Sequence, residues 1–276
     1  MGLRIATNIA SLNAQRQLDV QEKRYSHSLA ALSSGSRIVS AADDAAGLAI
    51  SENIRGQTRG IAQAKANANN AISLVQTGEG GLNEVNNILI RLRELGVQGA
   101  SDTLSDKERG FLDTEAQQLL SESNRIAKTT RFGNRKLLDG SGDSLEFQVG
   151  AYSSSENVIA YKSSADATNS ALGIDSLSVA DKGSSRSALD QVDAALDKVG
   201  QLRADFGAFQ SRLSSTVSSL DTHYENLTAA NSRLRDTDVA AESTELASSN
   251  IQHQAAISVL AQANQQPAAA LRLLQG

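Results

Sequence analysis

From Leu189 to Leu234 apolar residues follow one another at steps of three or four: Leu189, Val192, Leu196, Val199, Leu202, Phe206, Phe209, Leu213, Val217, Leu220, Tyr224, Leu227 and Leu234, with Asn231 in a polar slot. Such spacing lays a continuous stripe along a helix, and a stripe kept up over several heptads requires a partner helix. No proline interrupts the stretch, and Gly200 and Gly207 are its interior weak points. At ~1.5 Å per residue the helix is on the order of 70 Å long. A rod of that length cannot hide inside a compact domain, so other helices must lie along it. Its inner face is read as an intramolecular bundle, and its Asp-, Ser-, Arg- and Gln-rich outer faces as water-facing or as a polar subunit contact.

The 276 residues suffice for one large domain or two ordinary ones. With one proline, no cysteine, no tryptophan and 3% aromatics, the core must be built from Ala, Leu, Ile and Val, which favours close helix-on-helix packing. A net charge of −5 without any basic run argues against nucleic acid. No apolar run approaches the ~20 residues of a membrane span, so no membrane insertion is expected. The first residues, Met1 to Asn8, lack the form of a secretory signal. A chain without cysteine suits reducing and oxidising media alike.

Residues 3 to 32 carry a thin stripe: Leu3, Ile5, Ile9 and Leu12, then Leu18, Tyr25, Leu29 and Leu32. Alone it is too thin to be stable and predicts disorder until a partner is found. Ser33-Ser34-Gly35-Ser36 stops this helix, and Arg37 to Ala42 is an irregular connection. Asp43-Asp44 opens a second helix as an N-cap, the alternative being a carboxylate pair for metal or acid–base work. That helix runs through Leu48, Ile54, Ile61, Ile72, Val75, Leu82, Leu89 and Leu92, interrupted by Gly78-Glu79-Gly80-Gly81. The glycines lack phosphate-loop spacing and read as a close helix approach or a soft joint.

Ser105-Asp106-Lys107-Glu108 matches a capping box and starts a third helix through Leu112, Ala116, Leu119, Leu120 and Ile126. Leu145 to Val149 alternates, Gly150 to Ser155 reads as a turn, and Val158 to Tyr161 as the return strand. Ser163 to Ser187 is Ser-, Asp- and Ala-rich, a surface excursion or a loosely ordered segment. After the long rod, Arg235 to Asp238 is polar over a full turn and reads as a hinge. A last segment carries Leu246, Ile251, Ile257, Val259, Leu260, Leu271, Leu273 and Leu274, with Pro267 expected to bend or end it. Apolar residues at a terminus imply burial in something else.

Catalytic patterns are missing. His27, His223 and His253 are far apart in sequence and outside any HExxH pattern, no GxSxG occurs, and thiol chemistry is impossible. Neither metal nor cofactor is expected. Asn226-Leu227-Thr228 fits a glycosylation sequon by chance, and serines between Ser153 and Ser187 offer hydroxyls for O-linked sugar if that surface faces outside. The fold class expected from these patterns is mainly α: a long antiparallel helical bundle or coiled coil with a small β-hairpin region.

Both ends are amphipathic and marginal alone, and they flank a middle able to fold by itself. Here the residues resemble a family. Ile5-Ala6-Thr7-Asn8, Ser11-Leu12-Asn13-Ala14-Gln15-Arg16, Leu32-Ser33-Ser34-Gly35-Ser36-Arg37-Ile38 and Asp43-Asp44-Ala45-Ala46-Gly47-Leu48-Ala49-Ile50 resemble the amino-terminal signature of bacterial flagellin. Ala229-Ala230-Asn231-Ser232-Arg233-Leu234, with Asp236, Asp238, Ala240 and Glu242, is similar to its carboxyl-terminal pattern, as is Val259 to Gln265 with Pro267, Leu273 and Leu274. The likeness covers roughly residues 1 to 150 and 190 to 276.

The resemblance implies a non-enzymatic filament subunit for motility, exported through the flagellar type III apparatus without a cleavable signal and extracellular once assembled. It implies a terminal inner-core domain of residues 1–43 with 236–276, and a helical rod domain of 44–235 whose β-hairpin region lies near 131–187. Partners implied are further copies in a helical homopolymer, the export apparatus and a secretion chaperone, hook-associated and cap proteins, and a host Toll-like receptor. The assembly stripe is then Leu3, Ile5, Ile9, Leu12, Leu29, Leu32, Ile257, Leu260, Leu271 and Leu274. Arg91 and Leu95, with Glu115 on the next helix, resemble the receptor-recognised segment, which also reads as a subunit contact. The rival readings are a hook–filament junction protein and, from another class, a signalling coiled coil.

Overall fold

The long stripe becomes a helix of 54 residues, Lys182–Arg235, in the computed structural model of the chain. The structure describes residues 7–142, 144–162 and 165–275, residue 162 and residues 266–275 by backbone alone. Among them six α-helices occur: α1 Ile9–Ser34, α2 Ala45–Gly99, α3 Asp106–Thr129, the short α4 Asn169–Leu172, α5 Lys182–Arg235 and α6 Val239–Gln275. Two antiparallel hairpins lie between α3 and α4, β1 Arg131–Phe132 with β2 Arg135–Lys136, and β3 Ser144–Gln148 with β4 Val158–Lys162. The chain divides into two units, residues up to 56 with those from 226 on, and residues 57–225.

The middle unit has a closed core. Leu82, Val85, Leu89, Leu92 and Leu95 of α2 are fully or almost fully buried with Val192, Val199, Phe206 and Leu213 of α5. The ion pairs Lys65–Asp221 and Arg93–Asp193, at 2.5 and 2.7 Å, mark the antiparallel register, since numbering rises along α2 as it falls along α5. The last buried position of the α5 stripe is Leu220, and Tyr224, expected in the stripe, is exposed because core cover ends there. The glycine cluster does not break α2. A Cβ at Gly78 would lie 3.0 Å from the Phe206 ring, and one at Gly81 2.6 Å from Thr130 Oγ1, so two of the glycines are close approaches.

The hairpin β3–β4 alternates as expected, Leu145 and Ile159 facing the core. Tyr161 stacks on Phe209 at 4.4 Å between ring centres and meets Phe206 at 5.9 Å, so the strand pair is fastened to α5 by aromatic contacts. The segment expected as a surface excursion is instead core on one side. Ala165, Ala167, Leu172, Ile174, Leu177 and Val179 are buried. Polar groups pin it to α3: Gln117 Nε2 donates to Leu177 O at 2.9 Å, the Val179 amide to Asp113 at 2.8 Å, and Asn169 Nδ2 to Leu120 O at 2.8 Å. Its few apolar residues all serve packing, so low apolar content misled. Residues 163 and 164 lie outside the described residues.

The terminal unit is an antiparallel pair. Asn8 Nδ2 donates to Ala263 O at 2.8 Å, the Ser11 hydroxyl to Asn264 at 2.7 Å, and Tyr25 stacks on His253. Gly35, with φ 68°, ends α1 in the left-handed region that glycine tolerates. Asp44 caps α2 by accepting from the Gly47 amide at 2.8 Å, whereas Asp43 accepts from Val39 and Ser40 and orders the connection before it. Helix α6 continues through Pro267 rather than ending there. The three alanines that follow are strong helix formers and carry the helix past one missing amide.

Candidate assembly surface and contact patch

Along α1 and α6 the fully buried positions of the seam are small residues, with Leu18, Tyr25, Leu246 and Leu260 half-buried among them. Ala14, Ser28 and Ala31 of α1 and Ser249 and Ala263 of α6 are buried. Several large apolar residues are left outside it: Ile9 is 55% exposed, Leu12 52%, Leu29 50% and Ile257 47%. Val20, Ile251 and Val259 are exposed as well. Small residues let two helix backbones approach closely, and the cost is a seam that buries little apolar area. What remains outside is a set of aliphatic side chains distributed over both helices.

Of the expected assembly stripe, Ile9, Leu12, Leu29 and Ile257 are therefore exposed, and Leu32 and Leu260 are half-buried. Leu3 and Ile5 lie outside the described residues. Leu271 and Leu274 fall in the helical backbone of α6, their side chains outside the description. Val20, Ile251 and Val259 are exposed too; Ile251 and Val259 are read from the sequence as part of the last apolar segment but not of the assembly stripe, and Val20 is not singled out, since spacing alone does not distinguish seam from outer face.

The structure brings Arg91 and Glu115 together. Arg91 Nε and Nη2 both donate to Glu115 Oε1, at 2.9 and 2.8 Å, while Nη1 donates to Glu94 at 2.8 Å. Hydrogen bonds donated to Glu94 and Glu115 hold the Arg91 guanidinium's pKa above its ordinary value, so it is charged at any working pH. Leu95 does not share this patch. It is fully buried in the core, because four residues turn a helix about 40° past one full turn, enough here to separate a side chain reaching out from one pointing in. Beside Arg91 on the surface of α2 are instead the exposed Ile90, next in sequence, and its ion-pair partner Glu94.

Arg109 went unnoticed in the sequence. It is almost fully buried, donating to the carbonyls of Gly99 at 2.9 Å and Ser101 at 2.8 Å and to Asp106 at 2.7 Å. A cation over the last carbonyls of α2 meets the negative end of the helix, so its role is to close the α2–α3 turn. Among the described residues no group of three or more His, Cys, Asp or Glu is placed to hold a metal ion, and no helix is long and apolar enough to cross a membrane.

Comparison with known proteins matches both helical regions of the chain. The bacterial flagellin N-terminal helical region matches residues 5–143, and the bacterial flagellin C-terminal helical region residues 189–274. A flagellin of Halalkalibacterium halodurans is 43% identical over 268 residues, spanning 97% of this chain and 98% of that protein. The flagellar filament core protein flaB2 of Brachyspira hyodysenteriae is 40% identical over 286 residues, spanning 98% and 99%. The crystal structure of Bacillus cereus flagellin aligns with a TM-score of 0.51 at 28% identity, covering 60% of this chain and 94% of that one. With both terminal regions matched and relatives aligned end to end, the chain belongs to the bacterial flagellins, structural subunits of the flagellar filament.

Proposed function

We propose that the outward aliphatic rows of α1 and α6 are the surface through which copies of this chain stack, residues 1–43 and 236–276 together forming the inner core of the filament. The observation that carries this reading is the inversion at the terminal seam: small residues inside, Ile9, Leu12, Leu29 and Ile257 outside. Transfer of such side chains from water is worth roughly 1.5–3 kcal/mol each when fully buried, and a single chain leaves about half of each unburied. A contact that repeats without closing builds a helical polymer. Residues 44–235 then form the rod domain around that core.

The finer partners follow from the same reading. The chain leaves the cell through the flagellar export apparatus without a cleavable signal, attended by a secretion chaperone, and meets cap and hook-associated proteins at the filament ends. It performs no catalysis. The Arg91–Glu115 pair, with Ile90 and Glu94 beside it, is a contact patch for a neighbouring subunit in the filament and for a host Toll-like receptor on the free chain. Removing residues 1–40 or 236–276 tests the assembly surface. Either truncation is expected to leave a helical chain that no longer extends filament seeds, and growth by both truncated chains at the full-length rate would refute the proposal.

A further inference from the structure

The connection between β3 and β4 is tied down and carries an exposed aromatic ring. Gln148 Nε2 donates to the carbonyls of Gly150 and Tyr152, at 2.8 and 2.7 Å, and Asn157 Nδ2 to Ser154 Oγ at 2.6 Å. The connection is seated on α2 at Gly60, where a Cβ would lie 3.0 Å from that of Ala151. Beside it, against α5, is a cavity of about 360 Å³ built wholly within the middle unit. Its floor is apolar: Ile61, Val149, Ile159 and Leu220 are all buried. Its rim is different in kind. Tyr152 is 59% exposed there, in a chain with four tyrosines, five phenylalanines and no tryptophan. Arg212, Ser219 and His223 of α5 are spaced by seven and four residues, so they share one face of the helix, and all three are exposed. The Arg212 carbonyl accepts from Thr216 at 2.9 Å, but its guanidinium has no ion-pair partner among the described residues. Glu156 supplies a carboxylate to the same rim.

We propose that this cavity binds the carboxylated pyranose ring of an acidic glycan. An arginine fork takes a carboxylate through two parallel hydrogen bonds. A pyranose also presents a face of C–H groups, whose positive partial charges suit the negative face of an aromatic ring such as that of Tyr152. Sugar hydroxyls both donate and accept, which the Ser219 hydroxyl, the His223 ring and the Glu156 carboxylate can answer. An apolar floor with a few polar groups converging at the rim is the usual make-up of a small-ligand site. Glu156 also sets a limit. A polyphosphate, charged on every side, would meet its repulsion, whereas a ring with one carboxylate can turn that group toward Arg212. Uronic and sialic acids share this chemistry. The site belongs to the middle unit alone and does not depend on the assembly reading.

Ligand-observed NMR titration of the full-length chain tests the site, with digalacturonate in one arm, sialyllactose in a second and lactose as the uncharged control. Saturable binding in the millimolar range is expected for at least one of the two acids, and the arm that binds identifies the source. Lactose should bind at least about tenfold more weakly, because it lacks the charge-assisted hydrogen bonds. Tyr152→Ala and Arg212→Gln should each weaken binding of the acid at least about tenfold, with the helical circular dichroism unchanged. Arg186→Gln, at an exposed arginine near the start of α5, should have no effect. If either variant loses helix, milder ones decide: Tyr152→Phe keeps the ring and should keep binding, whereas Arg212→Lys loses the fork and should weaken it. No saturable binding of either acid, equal binding of lactose, or binding that survives both substitutions would overturn the site. Slowed seeded growth by both variants without any sugar binding would overturn it too, and would make the cavity a contact between copies of the chain.

Discussion

The two units follow the same helical spacing and use it in opposite ways. In the middle unit Leu82, Val85, Leu89 and Leu92 point inward and are almost wholly covered. In the terminal unit Ala14, Ser28, Ala31 and Ala263 point inward, and Ile9, Leu12, Leu29 and Ile257 are left half in water. The difference lies in side-chain size at the seam. Large residues inside make a unit that is complete in one chain. Small residues inside make a close pair whose remaining apolar surface is satisfied only by something beyond it.

Substitution can break or sharpen that contrast. Phe206 is almost fully buried, among Tyr161 and the face of Gly78. Phe206→Ala should lower the stability of the middle unit by about 3–5 kcal/mol in denaturant titration. Ile257→Ser, by contrast, should move the same titration by no more than about 0.5 kcal/mol while slowing seeded growth at least tenfold. A reversal of the two outcomes would erase the distinction between the units.

A smaller effect is expected at high pH. Burial, with Asp205 nearby, pushes the Tyr161 hydroxyl up to about 12 from its ordinary 10. A raised value in the folded chain means stability is whole below pH 10 and declines as pH climbs from there to about 12, where the unfolded chain releases this proton and the folded one keeps it. Tyr161→Phe should flatten that alkaline limb for the middle unit and leave the terminal helices untouched. A local effect is expected at the α3 cap. Ser105 and Glu108 form a reciprocal capping box, and Ser105→Ala should cost about 1 kcal/mol. The Ser105 amide holds the Glu108 carboxyl below its ordinary 4.5. Its contribution is therefore present above that value and lost as pH falls through the lower folded one.

Much of this architecture could be read from the residues, for identifiable reasons. The stripe of α5, the capping box and the strand pair 144–148 with 158–162 are local patterns whose period or chemistry has one good structural answer. Readings failed where a neighbour decided. The resemblance places Leu95 in a contact patch with Arg91, whereas packing in the core of the middle unit holds it inside. Residues 165–179 looked too polar to pack, yet α3 offers Asp113 and Gln117 to their backbone. The hairpin of Arg131 to Lys136 turns on Gly133 with φ 59° and leaves no periodic trace in so few residues. The seam of α1 and α6 was the subtlest case. Spacing reveals that an apolar row exists but not which side of the helix a partner takes.

The notch at Gly78 and Gly81 carries one more implication. These are among the residues least suited to a helix interior, where each glycine costs up to about 1 kcal/mol relative to alanine. Yet this turn of α2 is where Phe206 presses from one element and Thr130 and Leu138 from another. An intrinsically weak turn is thereby clamped from two sides. Lifting the 130–138 segment would strip that clamp away, so on warming the departure of the segment and the unwinding of the helix beneath it should coincide.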